Sequence, residues 1–329
     1  MIASFSVLIK AYLAHLEGRS GHRRSVRVAS QWITRLIETP AREELIARHT
    51  SKGHGHFQSG AAQANKELAL VRAACRWGLY YGCWTGGDPT AGIRKWKTPK
   101  RKRIGKLDEL RTLLHFFDRA ETPVEIRDRA LFGMQLFTGC RTGEARTARI
   151  DAITPYGTMG AWNKGKTKTG EDQELPLPSQ AMAWIDAWKE IRPLDHPSPY
   201  LFAGQAFQEP LTEDGVRLRW SIIRTRLNIH GLWTYDLRRT LACYLSNELR
   251  YDDHTIRAIL NHYDGTALGR YSFKSFDALT KPIQHYADWL WALKGENHEE
   301  PADGVADLEP SNGRLRQTHQ LERSNGHCQ

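Results

Sequence analysis

Residues 234–248 read TYDLRRTLACYLSNE. Leu237, Leu241 and Leu245 recur at every fourth position, which lines one face of a helix. Asp236 is placed to cap its start. Arg238 falls one residue past Leu237, in the first turn and at the edge of the apolar stripe. A helix N-terminus already carries partial positive charge and free N–H groups, so a cation there calls for an anion beside it. Two arrangements meet that need. Arg238 can share a bound phosphate or carboxylate with the helix end, or it can pair with Asp236.

Outward from this stretch, the chain has 329 residues, enough for two domains with a core in each. Hydrophobic residues make up 40% of it, which excludes a disordered chain overall. Lysine and arginine number 47 against 37 aspartates and glutamates, a formal charge of +10 that favours a polyanionic partner. Cys75, Cys83, Cys140, Cys243 and Cys328 form no CxxC pair and are odd in number, which argues against a zinc module and a disulfide framework. Several fall within apolar helical patterns and read as small buried hydrophobes in a reducing cytosol. No run of about 18 apolar residues predicts a membrane span. The opening MIASFSVLIKAYLAHLEG is amphipathic and lacks the layout of a signal peptide.

Residues 1–98 read as a helical domain. Phe5, Leu8, Ile9, Tyr12 and Leu16 make one stripe, and Val28, Trp32, Ile33, Leu36 and Ile37 a second. The third, NKELALVRAACRWGLYYG, places Leu68, Val71, Ala74, Cys75 and Leu79 on one side and stops at Gly82. Between the second and third, SKGHGHFQSG reads as a turn, and its His54 and His56, with no further ligand nearby, as solvated. A basic linker follows, residues 99–106. In RKWKTPKRKRIGK, residues 94–106, eight of thirteen are basic: Arg94, Lys95, Lys97, Lys100, Arg101, Lys102, Arg103 and Lys106. A proline inside makes this stretch extended. It serves as a solvated hinge, as a strap over a phosphate backbone, or as both.

Residues 107–296 carry the helical patterns LDELRTLLHFF, IRDRALFGMQLFTG, SQAMAWIDAWKEI, GVRLRWSIIRTRL and DHTIRAILNH, with one alternating segment, GAWNKGKTKTGEDQELPLP, that reads as a hairpin. The fold expected is mostly α with a small antiparallel β-sheet. Residues 297–329 are polar, with six acidic residues against three basic ones, and read as a disordered tail.

Four stretches of this second domain carry candidate chemistry: FTGCRTGEA with Arg141, NKGKTKTGEDQELPL with lysines at a hairpin tip, TYDLRRT with Arg238, and LNHYDGTALGRYSF with His262 and Tyr271. Together, in this order, they resemble the tyrosine recombinases of the phage-integrase type. TGCRTGE matches the first box, with Arg141 and Glu144. Lys168 lies eight residues before Pro176, as the family's hairpin lysine does. Tyr235-Asp236-Leu237-Arg238-Arg239-Thr240 matches the second box and Leu260-Asn261-His262 the third. Tyr271 follows His262 by nine residues, which selects it over Tyr263 as the nucleophile. The segment KPIQHYADWLWAL resembles the trailing helix of prophage integrases. The end of the first domain and its linker resemble the end of the integrase core-binding domain and its linker, so the likeness covers about 290 residues.

The resemblance implies a core-type DNA-binding domain joined to a tyrosine-recombinase catalytic domain, acting on duplex DNA without a cofactor or metal. Arg141 and Arg238 would fork N–H donors onto the scissile phosphate, and His262 would add another. Lys168 would protonate the departing 5′ oxygen, with Lys166, two residues away, as competitor. Tyr271 would form a 3′-phosphotyrosyl link. Glu144 would brace Arg141, or the two would form only an exposed ion pair. Arg94, Lys95, Lys97, Lys100, Arg101, Lys102, Arg103 and Lys166 are candidate DNA contacts. The family further implies a homotetramer on two DNA sites, a monomer or weak oligomer off DNA, accessory bending or directionality factors, and a bacterial or phage-encoded protein of the cytoplasm. A DNA-binding protein of the same fold without cleavage, and a type IB topoisomerase, are the alternatives. Two departures stand out. Asn261 replaces the usual glycine. Tyr235 replaces the usual histidine, and its ordinary pKa of about 10 makes it a poor base at neutral pH.

Overall fold

The computed structural model describes residues 5–17, 59–88, 90–98, 101–166, 172–192, 198–204, 208–262 and 274–295. The chain divides into two compact units, Met1–Lys102 and Arg103–Gln329. The second apolar stripe, the histidine-bearing turn up to residue 58 and the acidic tail lie outside the described residues.

In the first unit, helix α1 (Phe5–Glu17) packs on α2 (Ser59–Tyr80). Their core consists of Leu8, Ile9, Val71, Ala74 and Cys75, with Tyr12, Trp77 and Trp84 against it. Burial pushes the Cys75 thiol up to about 11, with Asp88 adding to the shift. The buried stripe differs from expectation at its end, where Leu79 is 53% exposed. The cause is Gly78. A Cβ there would lie 2.5 Å from Leu8 and 2.7 Å from Trp84, so the bare backbone takes the buried position and Leu79 turns outward. After α2 the chain folds back along it. Asn65 brackets Trp96 with two hydrogen bonds, and Arg72 donates to the Thr90 side chain and to the carbonyls of Thr90 and Ile93.

The second unit is built around α4 (Pro123–Thr138), buried at nearly every position from Ala130 to its end. Thr122 caps it, Pro123 opens it and Gly139 closes it in the left-handed region (φ 63°). The other helices are α3 (Leu107–Asp118), α5 (Thr142–Arg146), α6 (Ser179–Ile191), α7 (Glu213–Arg226), α8 (Thr234–Asn247), α9 (Asp253–Leu260) and α10 (Phe276–Ala292). The last is the trailing helix of the sequence reading.

An antiparallel sheet joins β1 (Ile153–Tyr156), β2 (Met159–Lys166) and β3 (Asp172–Leu177) in that order. Pro155 and Pro176 fall on its two outer strands, where a missing N–H is tolerated. Trp162 pairs with Leu175, and both are buried against the helices. The segment entering the unit is pinned to α8: Thr240 Oγ1 accepts from the Gly105 N–H at 2.8 Å, and the Tyr244 hydroxyl donates to the Gly105 carbonyl at 3.0 Å. The fold is mostly α with a small antiparallel sheet, and no described helix is long and apolar enough to cross a membrane.

Candidate active site

Arg141 stands where α4 stops. The left-handed turn at Gly139 ends the buried helix, and Arg141 caps the short α5. Glu144, three residues on, reaches back to it. One carboxylate oxygen accepts from the Arg141 backbone N–H at 3.0 Å, and the other from its guanidinium at 2.6 Å. Both side chains are largely withdrawn from solvent. The pair is therefore more than an exposed i, i+3 contact, and Glu144 has a third partner described below. Thr142 ties this corner to α4 by a hydrogen bond to Gln135 at 2.9 Å and to α8 by one to Thr234 at 3.0 Å.

The two adjacent arginines of α8 have different partners. Asp236 occupies the third helical position rather than the cap, and accepts from the Trp233 N–H at 2.8 Å. Its other oxygen goes to Arg239 at 2.6 Å. Arg238 is 3% exposed and donates to two backbone carbonyls, Gly139 at 2.8 Å and Leu260. These carbonyls belong to the first and third boxes, so one guanidinium ties both to α8. Arg238 Nε is buried and has no hydrogen-bond partner among the described residues. Burial and the nearby Arg141 lower the Arg238 pKa, while Glu144 works in the opposite direction. An arginine stays charged regardless. A buried donor without an acceptor is costly, about 1–3 kcal/mol, unless a ligand supplies one.

His262 follows the left-handed Asn261 (φ 48°) that ends α9. Asparagine tolerates that conformation, which accounts for its standing in for the usual glycine. Burial, Arg238, Arg141 and Arg257 together lower the His262 pKa below its ordinary value. The imidazole is thus neutral at pH 7, with one N–H to donate. Tyr235 is 48% exposed, and the Arg239 guanidinium lies 4.9 Å from its ring centroid.

The structure brings one more cation to this cluster, Lys164 on β2. Between the pairs Asn163–Glu174 and Lys166–Asp172, two residues of β2 face one of β3. This β-bulge has Gly165 in the left-handed region (φ 62°), the conformation for which glycine is suited. Lys164 lies at this bulge with its side chain 2% exposed. The ammonium lies 3.2 Å from Glu144 Oε2, 3.0 Å from Gln173 Oε1 and 5.1 Å from the Trp162 ring centroid. Burial lowers the Lys164 pKa and Glu144 opposes the shift. Burial likewise works to raise the Glu144 pKa, but Lys164 and the bonds from Arg141 leave it below the ordinary carboxylate value. Strand alternation puts Lys164 on the face of Trp162, which was the available signal for this residue.

Lys168 and Tyr271 lie outside the described residues, and so do Tyr263, Lys100 and the side chain of Lys166. Arg94, Lys95, Lys97, Arg101 and Lys102 are exposed. Arg103 is held inside its unit instead, by the Glu109 carboxylate and by the His230 carbonyl at 3.2 Å. Cys140, beside Arg141, is fully buried, and burial pushes its thiol up to about 11. Among the described residues no group of three His, Cys, Asp or Glu is arranged to hold a metal ion.

Solved structures share this architecture. A lambda integrase tetramer bound to a Holliday junction superposes with a TM-score of 0.61 at 17% identity, covering 81% of this chain and 79% of that one. The XerH site-specific recombinase in a pre-cleavage complex with its difH substrate gives 0.55 at 16% identity, over 77% and 70% of the two chains. The Tn1549 transposon integrase in complex with circular intermediate DNA gives 0.59 at 14% identity, over 85% and 99%. The fold is that of a tyrosine-recombinase catalytic domain, and the protein is a tyrosine-type site-specific recombinase. More narrowly, the chain belongs to the phage integrase family, whose sequence signature matches residues 106–277, just over half of its length.

Proposed function

We propose that this recombinase cuts and rejoins duplex DNA through a 3′-phosphotyrosyl link to Tyr271, with Arg141, Arg238 and His262 holding the scissile phosphate. The carrying observation is the buried Nε of Arg238, which has no partner among the described residues and is set near Arg141 and His262. Three cations, Arg141, Lys164 and Arg238, face one carboxylate, Glu144, so the cluster keeps a positive charge for an anion.

In the reaction, the Tyr271 oxygen attacks phosphorus and the bond to the 5′ oxygen breaks. Lys168 gives that oxygen its proton. The phenolic proton of Tyr271 passes to solvent by way of the half-exposed Tyr235 hydroxyl, which accepts one hydrogen bond while donating another. The charge that grows on the non-bridging oxygens meets fixed N–H donors, the arrangement that lowers such barriers most. The 5′ hydroxyl of a second duplex then attacks the link and releases Tyr271, so no ATP is consumed.

The helical first unit and the exposed cations Arg94, Lys95, Lys97, Arg101 and Lys102 serve to grip the duplex outside the cleavage point. The solved relatives include a lambda integrase dimer on a core site and the tetramer on a Holliday junction. For this chain we infer binding to duplex DNA and assembly upon it, four copies on two sites, with monomers or weak oligomers off DNA. Accessory bending or directionality factors and a cytoplasmic location complete the reading. Neither a binding-only protein nor a topoisomerase is favoured over recombination.

A nicked suicide duplex tests the proposal. The wild-type chain should trap a covalent adduct whose peptide contains Tyr271, and Tyr271→Phe should abolish it while changing DNA affinity by less than about twofold. An adduct that persists in Tyr271→Phe moves the nucleophile, with Tyr263 the first alternative.

A further inference from the structure

Four side chains form an unbroken polar bridge between the parts of the site. Arg141 donates to Glu144, and Glu144 accepts from Lys164 at 3.2 Å. Lys164 donates to Gln173 at 3.0 Å. The Gln173 amide N–H2 then donates to the carbonyls of Ala258 at 3.1 Å and Ile259 at 3.3 Å. These are two of the last four carbonyls of α9, which take their partners from beyond the helix; Ala258 also accepts from the Asn261 N–H at 3.1 Å. Arg238 takes Leu260 and the His262 N–H takes Arg257. The end of α9 that presents His262 is thereby tied on one side to α8 and on the other to the hairpin.

We propose that Lys164 and Gln173 are positioning residues of the strand-transfer site, a partly buried bridge through the hairpin that fixes Arg141 against the helix end carrying His262. This inference rests on the strand-transfer reading above. Neither residue touches the reacting atoms. Lys164 also shares the Glu144 carboxylate with Arg141. Without it the carboxylate would be neutralised by Arg141 alone, which would draw that guanidinium away from the phosphate. The bulge falls at Lys164 and Gly165, just before β2 ends at Lys166. Removing one partner of a buried ion pair leaves the other charge uncompensated, whereas removing both together is far better tolerated. That asymmetry separates a bridge from a residue that merely fills space.

The experiment measures single-turnover cleavage of the nicked suicide duplex, DNA affinity and thermal midpoint on the full chain. Lys164→Met should slow cleavage by about 30-fold, in the range for outer groups that orient charged active-site residues, with affinity within about twofold. Lys164→Met combined with Glu144→Gln should cleave at least about fivefold faster than Lys164→Met alone, because the stranded carboxylate is gone. Gln173→Leu should slow cleavage by about fivefold, yet add less than about twofold on top of Lys164→Met, since links in series fail together. Should Lys164→Met fail to fold, Gln173→Leu decides by its own split between cleavage and affinity. Cleavage within twofold of wild type in Lys164→Met overturns the inference alone. So does a loss of cleavage that only follows the loss of folded protein, or strictly multiplicative effects. A wild-type chain that forms no adduct overturns the strand-transfer reading and the inference with it.

Discussion

The floor and the mouth of the site solve opposite problems. On the floor, Lys164 is buried, Glu144 nearly so and Gln173 half-buried, and the three are bonded to one another. At the mouth, Arg238 keeps a buried N–H with no acceptor among the described residues, burial and three arginines hold the His262 pKa down, and Tyr235 is half exposed. A saturated network is rigid and has nothing left to offer a substrate. An unsaturated one is ready for an anion, but only if something else holds it still. Both are made from one set of elements. The carbonyls that anchor the mouth, Gly139 and Leu260, end the helices that the floor braces.

Arg238 belongs to both regions, so its replacement should produce the largest effect. Lysine keeps the charge but has one nitrogen for three tasks. We expect Arg238→Lys to slow suicide-substrate cleavage by about 10²–10³-fold, the loss typical of a transition-state donor. It should also cost about 2 kcal/mol in a denaturant melt, because the carbonyls of Gly139 and Leu260 lose their shared partner. Loss of cleavage with unchanged stability would place Arg238 wholly at the mouth and dissolve its role as the joint.

Tyr235→His sharpens the comparison from the other side, because Tyr235 has no part in the floor. Its ring lies under Arg239, a contact an imidazole can also make. Cleavage should stay unchanged or rise by up to about tenfold as a better proton acceptor enters, with the thermal midpoint unmoved. A large fall would mean that the phenol itself orders the mouth.

Much of this is legible in the residues. Helices of the second unit announced themselves through apolar periodicity, and the hairpin through alternation. What stayed hidden depended on contacts between distant segments. The pairing of Asp236 could not be assigned to Arg238 or Arg239 from spacing alone, since both lie within one turn, and the decision is made by the carbonyls of Gly139 and Leu260. Strand alternation places Lys164 on the Trp162 face, but its partners Glu144 and Gln173 come from other segments and do not follow from its own stretch of sequence. Arg103 read as one more cation of the linker until Glu109 and His230 claimed it. Leu79 followed the helical stripe on paper, but Gly78 let Leu8 and Trp84 close in and displaced the buried face by one residue.

The smallest expected effect concerns the proton on His262. In the free protein burial, Arg238, Arg141 and Arg257 hold its pKa below 6.5. A depressed pKa means that the unfolded chain binds the proton more readily, so His262 leaves stability intact above about pH 6.5 and subtracts from it as pH falls toward the folded value. A phosphate placed between the arginines cancels their repulsion and raises that pKa. DNA binding should therefore take up a proton, and affinity should tighten by about threefold per unit as pH drops from 7 to 6. Binding enthalpies measured in buffers of different ionisation enthalpy count the protons directly. His262→Gln should remove the uptake and leave affinity at pH 8 nearly unchanged. Uptake that survives in His262→Gln would assign the proton elsewhere. Absence of uptake in the wild type would mean that the phosphate does not sit where Arg238 Nε waits for it, and the mouth would lose its claim to be the unsaturated partner of the floor.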